Sequence, residues 1–442
     1  MKPVRIDAAR LLGDLHALRA IGGQGRGVNR PTYSAADMEA RNWLVARMAE
    51  AGFDAGIDGI GSVLGCRAAS GPAVLTGSHL ETHGLAGWLD GAYGVICGLE
   101  AARTLAGHPD FADCAVDVIA FADEEAHFGS YLGARSFVGA LDDAEIDTAR
   151  GRADGTHLRV ALGRAGLDGL ARFRCPPGHY HAFFEAHIEQ GDRLEAEGAR
   201  IGVVSAIAAS RLFRIVFTGQ ANHAGTTSMA RRRDAGRAAL HALAALDRAL
   251  SGGLAGPDTV WTVTRIALEP GAASVVPERA DVVVQIRDPA PERLEHIETA
   301  LRAACEEAAR AMRCPVEVAC IARNDGAAMD PDCAAFSPRP PRGMLRAHGY
   351  TCPAVPGMTP STCRATCRQG CCSCPRSGVS AIIPTRIPPR KISCWAHRSL
   401  PRHWRSAWLP RAACEAFFGG WWVMRDSNSR HLRCERSALP LS

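Results

Sequence analysis

His79, Asp90, Glu124, Glu125 and His187 are residue types that bind divalent cations, and each lies beside the turn that ends a short apolar run. The segment 76–94 reads TGSHLETHGLAGWLDGAYG, and Asp123-Glu124-Glu125 closes the next apolar run. Imidazole and carboxylate donors suit zinc or manganese, and a shared carboxylate holds two cations about 3.5–4 Å apart. Such a pair acidifies water and polarises a carbonyl. A carboxylate left free can then take the water's proton and pass it to a leaving nitrogen. Glu124 is assigned that role. Neighbouring residues on an extended segment point opposite ways, so one glutamate can bind metal while the other faces substrate. One histidine at a strand end is more often structural than a ligand. Four such ends carrying ligand-type residues in a Gly-rich setting favour a metal site.

The elements that must position these groups read as follows. Ser34-Ala-Ala-Asp37 resembles a capping box, and Leu44, Val45 and Met48 continue it as an amphipathic helix. Residues 73–75, 115–121 and 183–186 read as buried strands, with a small-residue helix over 91–105 between the first two. The alternation predicts an α/β fold with a mostly parallel sheet, whose carboxyl ends are where ligands bind. From Val204 the pattern changes to strand 211–218, helix 229–250, strands 259–268 and 281–288, helix 291–312 and strand 316–321. That β-α-β-β-α-β order is the ferredoxin-like unit, read as an inserted second domain. The expected organisation is 1–203, first part of the metal-binding domain; 204–322, the insert; 323–334, the return; and 335–442, an anomalous tail.

Composition supports the division. The 442 residues are 47% apolar and carry a net charge of +5. Positions 333–442 hold 17 Lys and Arg against 3 Asp and Glu, leaving 34 against 43 in the first 332 residues. Ten of the 17 cysteines also fall after position 332. The basic tail mixes Pro, Trp and Cys without a regular pattern, so nucleic acid is not expected as a partner. MKPVRIDAARLLGDL has no apolar core of signal-peptide type, and no run approaches a membrane span. A cytoplasmic protein with no membrane partner is the expectation.

Four segments, GSHLETHGLAGWLDGAYGV, ADEEAHFGSYLGARSF, EAHIEQGDRLEAEGARIGVV and GQANHAGTTSMARRRDA, occur in order. Over residues 10–332 the chain resembles metal-dependent amidohydrolases of the peptidase M20 type. The similar branch holds N-carbamoyl-L-amino acid hydrolases, β-ureidopropionases and allantoate amidohydrolases. The resemblance implies two divalent ions, zinc or manganese, in each subunit of a homodimer. His79 and His187 would bind the first, Asp90 would bridge, Glu125 would bind the second and Glu124 would be the general base. Gln190, His223, Ser274 and Arg287 would recognise a small ureido acid, Arg287 through its carboxylate. The insert would act as a lid and dimerisation domain, its His223 reaching the partner's site to stabilise an oxyanion. Two positions depart from the family pattern. Glu81 replaces an Asp that orients the His ligand, and Ser274 replaces an Asn that touches substrate.

The resemblance stops near position 332. A Gly-His-Asp motif and a Ser-His-x-Pro-x-Glu motif, whose His is the last ligand of the second metal, are both missing. Without that ligand the second metal keeps only Asp90 and Glu125. Read two bases forward, the codons for 352–360 permit P-S-G-A-G-H-D-A, with Asp forced at the Met358–Thr359 junction. The same shift over 379–388 permits S-H-x-P-D-E, its His straddling Ala381 and Ile382. A frameshift between about 333 and 351 is therefore expected, with a poorly ordered tail beyond it. The ending RDSNSRHLRCERSALPLS reads like translated tRNA-gene sequence. Cys363, Cys367, Cys371, Cys372 and Cys374 fit no zinc-knuckle spacing and are not expected to bind metal. The reading that follows is an N-carbamoyl-L-amino acid amidohydrolase impaired by the lost ligand. Allantoate hydrolysis is the alternative within the class, and an inactive product binding at most one metal is the alternative outside it.

Overall fold

The computed structural model describes residues 4–330 except 69–72, 112 and 200, together with Cys333 and the backbone of 344–347, 350–351 and 380–385. Two helices open the chain. Helix α1 spans Ala8–Ala20 under an Asp7 cap, and α2 spans Ala35–Glu50. Ser34 caps α2 by accepting from the Asp37 amide, as the motif predicts. The reciprocal arm of the box is not made. Asp37 instead accepts from the Tyr33 amide and from Arg41, which is buried on the stripe that carries Leu44 and Met48.

Strands β1 (Asp54–Ile57), β2 (Val63–Cys66) and β3 (Ala73–His79) follow, then helix α3 (Ala92–Ala106), β4 (Ala115–Phe121), β5 (Tyr180–Ile188) and β6 (Ile201–Val204). The second unit runs through β7 (Ala206–Thr218), α4 (Ala235–Ala249), β8 (Val260–Glu269), β9 (Arg279–Asp288), α5 (Pro291–Met312) and β10 (Val316–Asn324). Two later strands, β11 (Met344–Ala347) and β12 (Ser380–Thr385), complete the first sheet.

That sheet has eight strands in the order β11-β6-β12-β5-β3-β4-β2-β1. Its centre, β5-β3-β4, is parallel. The β4-β2 and β2-β1 pairs are antiparallel, as is β12 with β5, while β11-β6 and β6-β12 are parallel, so four of the seven pairs are parallel in a mixed sheet. The parallel centre is what the βαβ alternation predicts, and the antiparallel β4-β2-β1 edge lies outside that unit. Strands β3 and β4 are buried along their whole length, as strands covered on both faces must be. Helix α3 lies close against them because Gly94 and Gly98 face the sheet. A Cβ on Gly94 would stand 2.6 Å from the Ala186 carbonyl oxygen, and one on Gly98 would stand 2.9 Å from Thr76.

The second sheet has the core order β8-β9-β7-β10, antiparallel throughout. Phe213, Ile215 and Phe217 alternate along β7 into a core shared with Ala238, Ala242 and Leu246 of α4 and Leu294, Ile297 and Leu301 of α5. Within the segment expected to be poorly ordered, β11 pairs with β6, β12 with β5 and β6, and residues 350–351 with β7. The rest of 335–442, including the cysteine cluster and both shifted-frame motifs apart from residues 380–385, lies outside the described residues. No helix among the described residues is long and apolar enough to cross a membrane.

Candidate metal centre

The carboxyl edge of β5-β3-β4 gathers the candidate ligands. His79 is the last residue of β3, Glu124 and Glu125 follow β4, and His187 lies one residue before the end of β5. Asp90 precedes the turn into α3. Gly91 makes that turn possible, with φ of 63° and no side chain. A Cβ there would sit 2.5 Å from the His79 ring, so the helix start lies directly against the imidazole.

Both imidazoles have their tautomer fixed by the backbone. His79 Nδ1 lies 3.0 Å from the Glu81 carbonyl oxygen and His187 Nδ1 lies 2.7 Å from that of Ile188. A carbonyl only accepts, so each Nδ1 carries a proton and Nε2 is the ring atom turned to the site. His187 Nε2 faces Asp90 Oδ1 at 3.3 Å, and both atoms are buried without a hydrogen-bond partner. A ring nitrogen and a carboxylate oxygen held in this way need a shared proton or a cation between them. The other Asp90 oxygen accepts from Gln190 Nε2 at 2.8 Å. On the facing side, His79 Nε2 lies 3.4 Å from Glu124, and one donor atom from each of His79, Glu124 and Glu125 lies within 4.8 Å of the others. The donor set therefore fits a divalent cation.

The electrostatics agree. Burial, then the charges of Glu125 and Asp90, push the Glu124 carboxyl well above the ordinary carboxylate range. Burial opposes charge on Asp90, but its contact with His187 outweighs it and the carboxyl is lowered. Burial likewise opposes charge on His187, yet Asp90 raises it to about 9. A crowded Glu124 carboxyl with raised proton affinity and a histidine raised by its acid neighbour describe a site rich in negative charge.

Two details differ from the sequence reading. The segment carrying Glu124 and Glu125 is not extended: Asp123 has φ of 54° and Ala126 of 57°, so both carboxylates converge on the cluster instead of diverging. Asp123 fixes that kink from a fully buried position, accepting from Thr32 Oγ1 at 2.9 Å and from the His127, Phe128 and Gly129 amides. Burial pushes its carboxyl up to about 7 against those donors. Nor does the Glu81 carboxylate orient His79, since its closer oxygen is 3.9 Å from Nδ1 and the backbone carbonyl does that work. The longer side chain reaches past the ring. It accepts from the Glu124 amide and from Arg41 at 2.8 Å, linking the ligand loops to a buried Arg41–Asp37 pair.

The candidate substrate residues divide between the two units. Gln190 is in the cluster through Asp90. His223 and Ser274 lie side by side on the second unit, where the Ala224 amide donates to the Ser274 carbonyl and His223 bridges Val275. Both are exposed, and no hydrogen bond or ion pair among the described residues joins either to the cluster. Arg287, on β9, donates through Nε and a terminal nitrogen to Gln285. Arg41, Asp37, Asp123 and His83 were missed by the sequence reading. Arg41 could have been found from its place on an otherwise apolar helix stripe. His83 had only its spacing, four residues after His79, to suggest it.

Comparison with known proteins fits this geometry. Residues 83–344 match the model of peptidase family M20/M25/M40. The chain is 34% identical over 293 residues to the N-carbamoyl-L-amino acid amidohydrolase of Geobacillus stearothermophilus, covering 64% of this chain and 70% of that one. It is 30% identical over 270 residues to the allantoate amidohydrolase of Bacillus subtilis strain 168, covering 59% and 64%. A crystal structure of an amidase of the hydantoinase/carbamoylase family from Burkholderia phymatum superposes with a TM-score of 0.77 at 40% identity, over 87% of this chain and 92% of that one. The chain belongs to the M20/M25/M40 peptidase family, among its amidohydrolases of carbon–nitrogen bonds other than peptide bonds.

Proposed function

We propose that the chain is built to hydrolyse N-carbamoyl-L-amino acids, adding one water to give the amino acid, ammonia and carbon dioxide. The observation that carries the reading is the buried face-off of His187 Nε2 and Asp90 Oδ1 beside the converging His79, Glu124 and Glu125. His79 and His187 would hold a first divalent cation, Asp90 would be shared, and Glu125 would hold a second. Bound zinc or manganese would supply Lewis acidity and an activated water. Glu124 takes the water's proton and returns it to the leaving nitrogen, a role suited to the carboxylate placed 3.4 Å from His79 Nε2 within the cluster. Gln190 fixes Asp90 through its amide and would recognise the ureido group.

Arg287 would bind the substrate carboxylate, with Ser274 beside it and His223 stabilising the oxyanion in the partner's site. That arrangement needs a homodimer. Support comes from edge strand β8, which exposes Val260, Val263, Ile266 and Leu268 by 40–51%. Exposed apolar edges of this kind are normally covered. Ile266→Lys should therefore shift sedimentation from dimer to monomer; an unchanged dimer would remove β8 as the interface.

Turnover by the chain as written is expected to be low, because the last second-metal ligand is absent from its sequence. The test is ammonia release from N-carbamoyl-L-amino acids and from allantoate by protein loaded with zinc or manganese. A preference for allantoate would favour the second substrate, as similarity to the Bacillus subtilis protein suggests. No turnover of either, with one ion or none bound, would leave the non-catalytic reading.

A further inference from the structure

We propose that His83 is a ligand of the second cation in this site, completing with Glu125 and Asp90 a donor set that would otherwise be all carboxylate. The proposal rests on the two-cation reading above. His83 lies on the loop leaving β3, and its Nε2 stands 2.8 Å from Glu125 Oε2, making it the imidazole that touches Glu125 among the described residues. Its side chain is 44% exposed and its ring packs beside His127 at 5.5 Å, so it occupies the solvent side of the cluster, opposite the buried His79. Asp90 Oδ1, buried and unpartnered, faces His187 and is the oxygen that a first and a second ion would share.

Chemistry favours the assignment. Zinc at protein sites takes imidazole together with carboxylate, with bonds of about 2.0–2.2 Å, which puts two donors of one tetrahedral ion about 3.4 Å apart. The His83–Glu125 pair needs to open by about 0.6 Å from its hydrogen-bonded separation of 2.8 Å to become a chelating pair. Glu125 and Asp90 alone would leave the ion two protein donors, fewer than the three that catalytic zinc sites use.

The decisive measurement is metal content and affinity on the full chain, titrated with zinc and with cobalt. Wild type should bind two ions. His83→Gln should keep one ion and its melting temperature while weakening the second ion by about 100-fold or more, the loss expected beyond that for an outer partner. X-ray absorption on unmodified zinc protein provides a check independent of folding: three imidazoles shared by two ions are expected, against two if His83 is not a ligand. One ion in wild type would sink the two-cation reading itself. Two ions held equally well by wild type and His83→Gln would leave that reading standing and overturn only the role of His83.

Discussion

A histidine ligand needs its other ring nitrogen held, and here the backbone holds both. His79 and His187 each give Nδ1–H to a carbonyl, which leaves the acid at position 81 free for other work. Glu81 uses that freedom to join the Glu124 amide to Arg41. Arg41 is fully buried between Asp37 and Glu81 and also donates to the Gly61 carbonyl at 2.7 Å. Arg41→Met would strand two buried carboxylates. It should cost about 3–5 kcal/mol in chemical denaturation, the penalty for removing one partner of a buried ion pair; a loss under about 1 kcal/mol would show that Arg41 is not the counter-charge. Glu124→Gln separates proton transfer from metal binding. Its turnover should fall by about 10²–10⁴-fold with metal content unchanged, and an equal loss of metal would mark Glu124 as a ligand instead. The candidate ligands were legible in the sequence because few side chains bind cations, and the structure brings His79, Glu124 and Glu125 together. The Arg41 network was not, because a buried ion pair has no periodicity, and the convergence of Glu124 and Glu125 was hidden by a backbone angle at Asp123 that no side chain announces.

Elements set the distances between these residues, and α3 sets the tightest one. Its start at Gly91 touches the His79 ring, and Gly94 lets its first turn approach the carbonyl of Ala186, the neighbour of His187. One helix thus indexes both imidazoles and the adjacent Asp90. Gly91→Ala combines a positive φ with a clash against His79. The backbone strain should cost about 1–3 kcal/mol, and zinc affinity should fall further than stability as the ring is displaced. Isothermal titration beside a thermal melt would resolve the two, and unchanged zinc affinity would refute the indexing role. The sequence made elements legible where one chemical pattern ran their whole length: 115–121 and 291–312 are observed as read. It shortened β3 to 73–75, because Thr76, Gly77 and Ser78 look like turn residues although they are buried in the sheet. It shortened β7 at Arg211, whose charge is satisfied internally by the Asn324 carbonyl and Asp325.

Across the whole molecule, the charge balance of the first 332 residues is acidic and that of the remainder strongly basic, and the family match ends twelve residues beyond that break, at 344. Strand β12 then takes a central position between β6 and β5, with Ala381 opposite His187 in register. In the shifted frame the His codon spans Ala381 and Ile382, so the backbone position that pairs with the ligand strand coincides with the missing imidazole. Pairing of this kind needs only an extended backbone and β-favouring residues such as Ile382 and Ile383, so it does not require that the written frame be the functional one. The frameshift account makes a prediction at this scale. Resequencing the gene should find a frame change between codons 333 and 351, after which the two motifs read in phase. A chain expressed from the corrected frame should bind its second ion through the restored histidine and turn over N-carbamoyl-L-amino acids at least about 100-fold faster than the chain as written. His83→Gln should matter much less in that corrected chain, because the restored imidazole would compete for the same ion. If no alternative frame encodes both motifs, the composition break needs another cause, and the written chain must be judged on its own ligands.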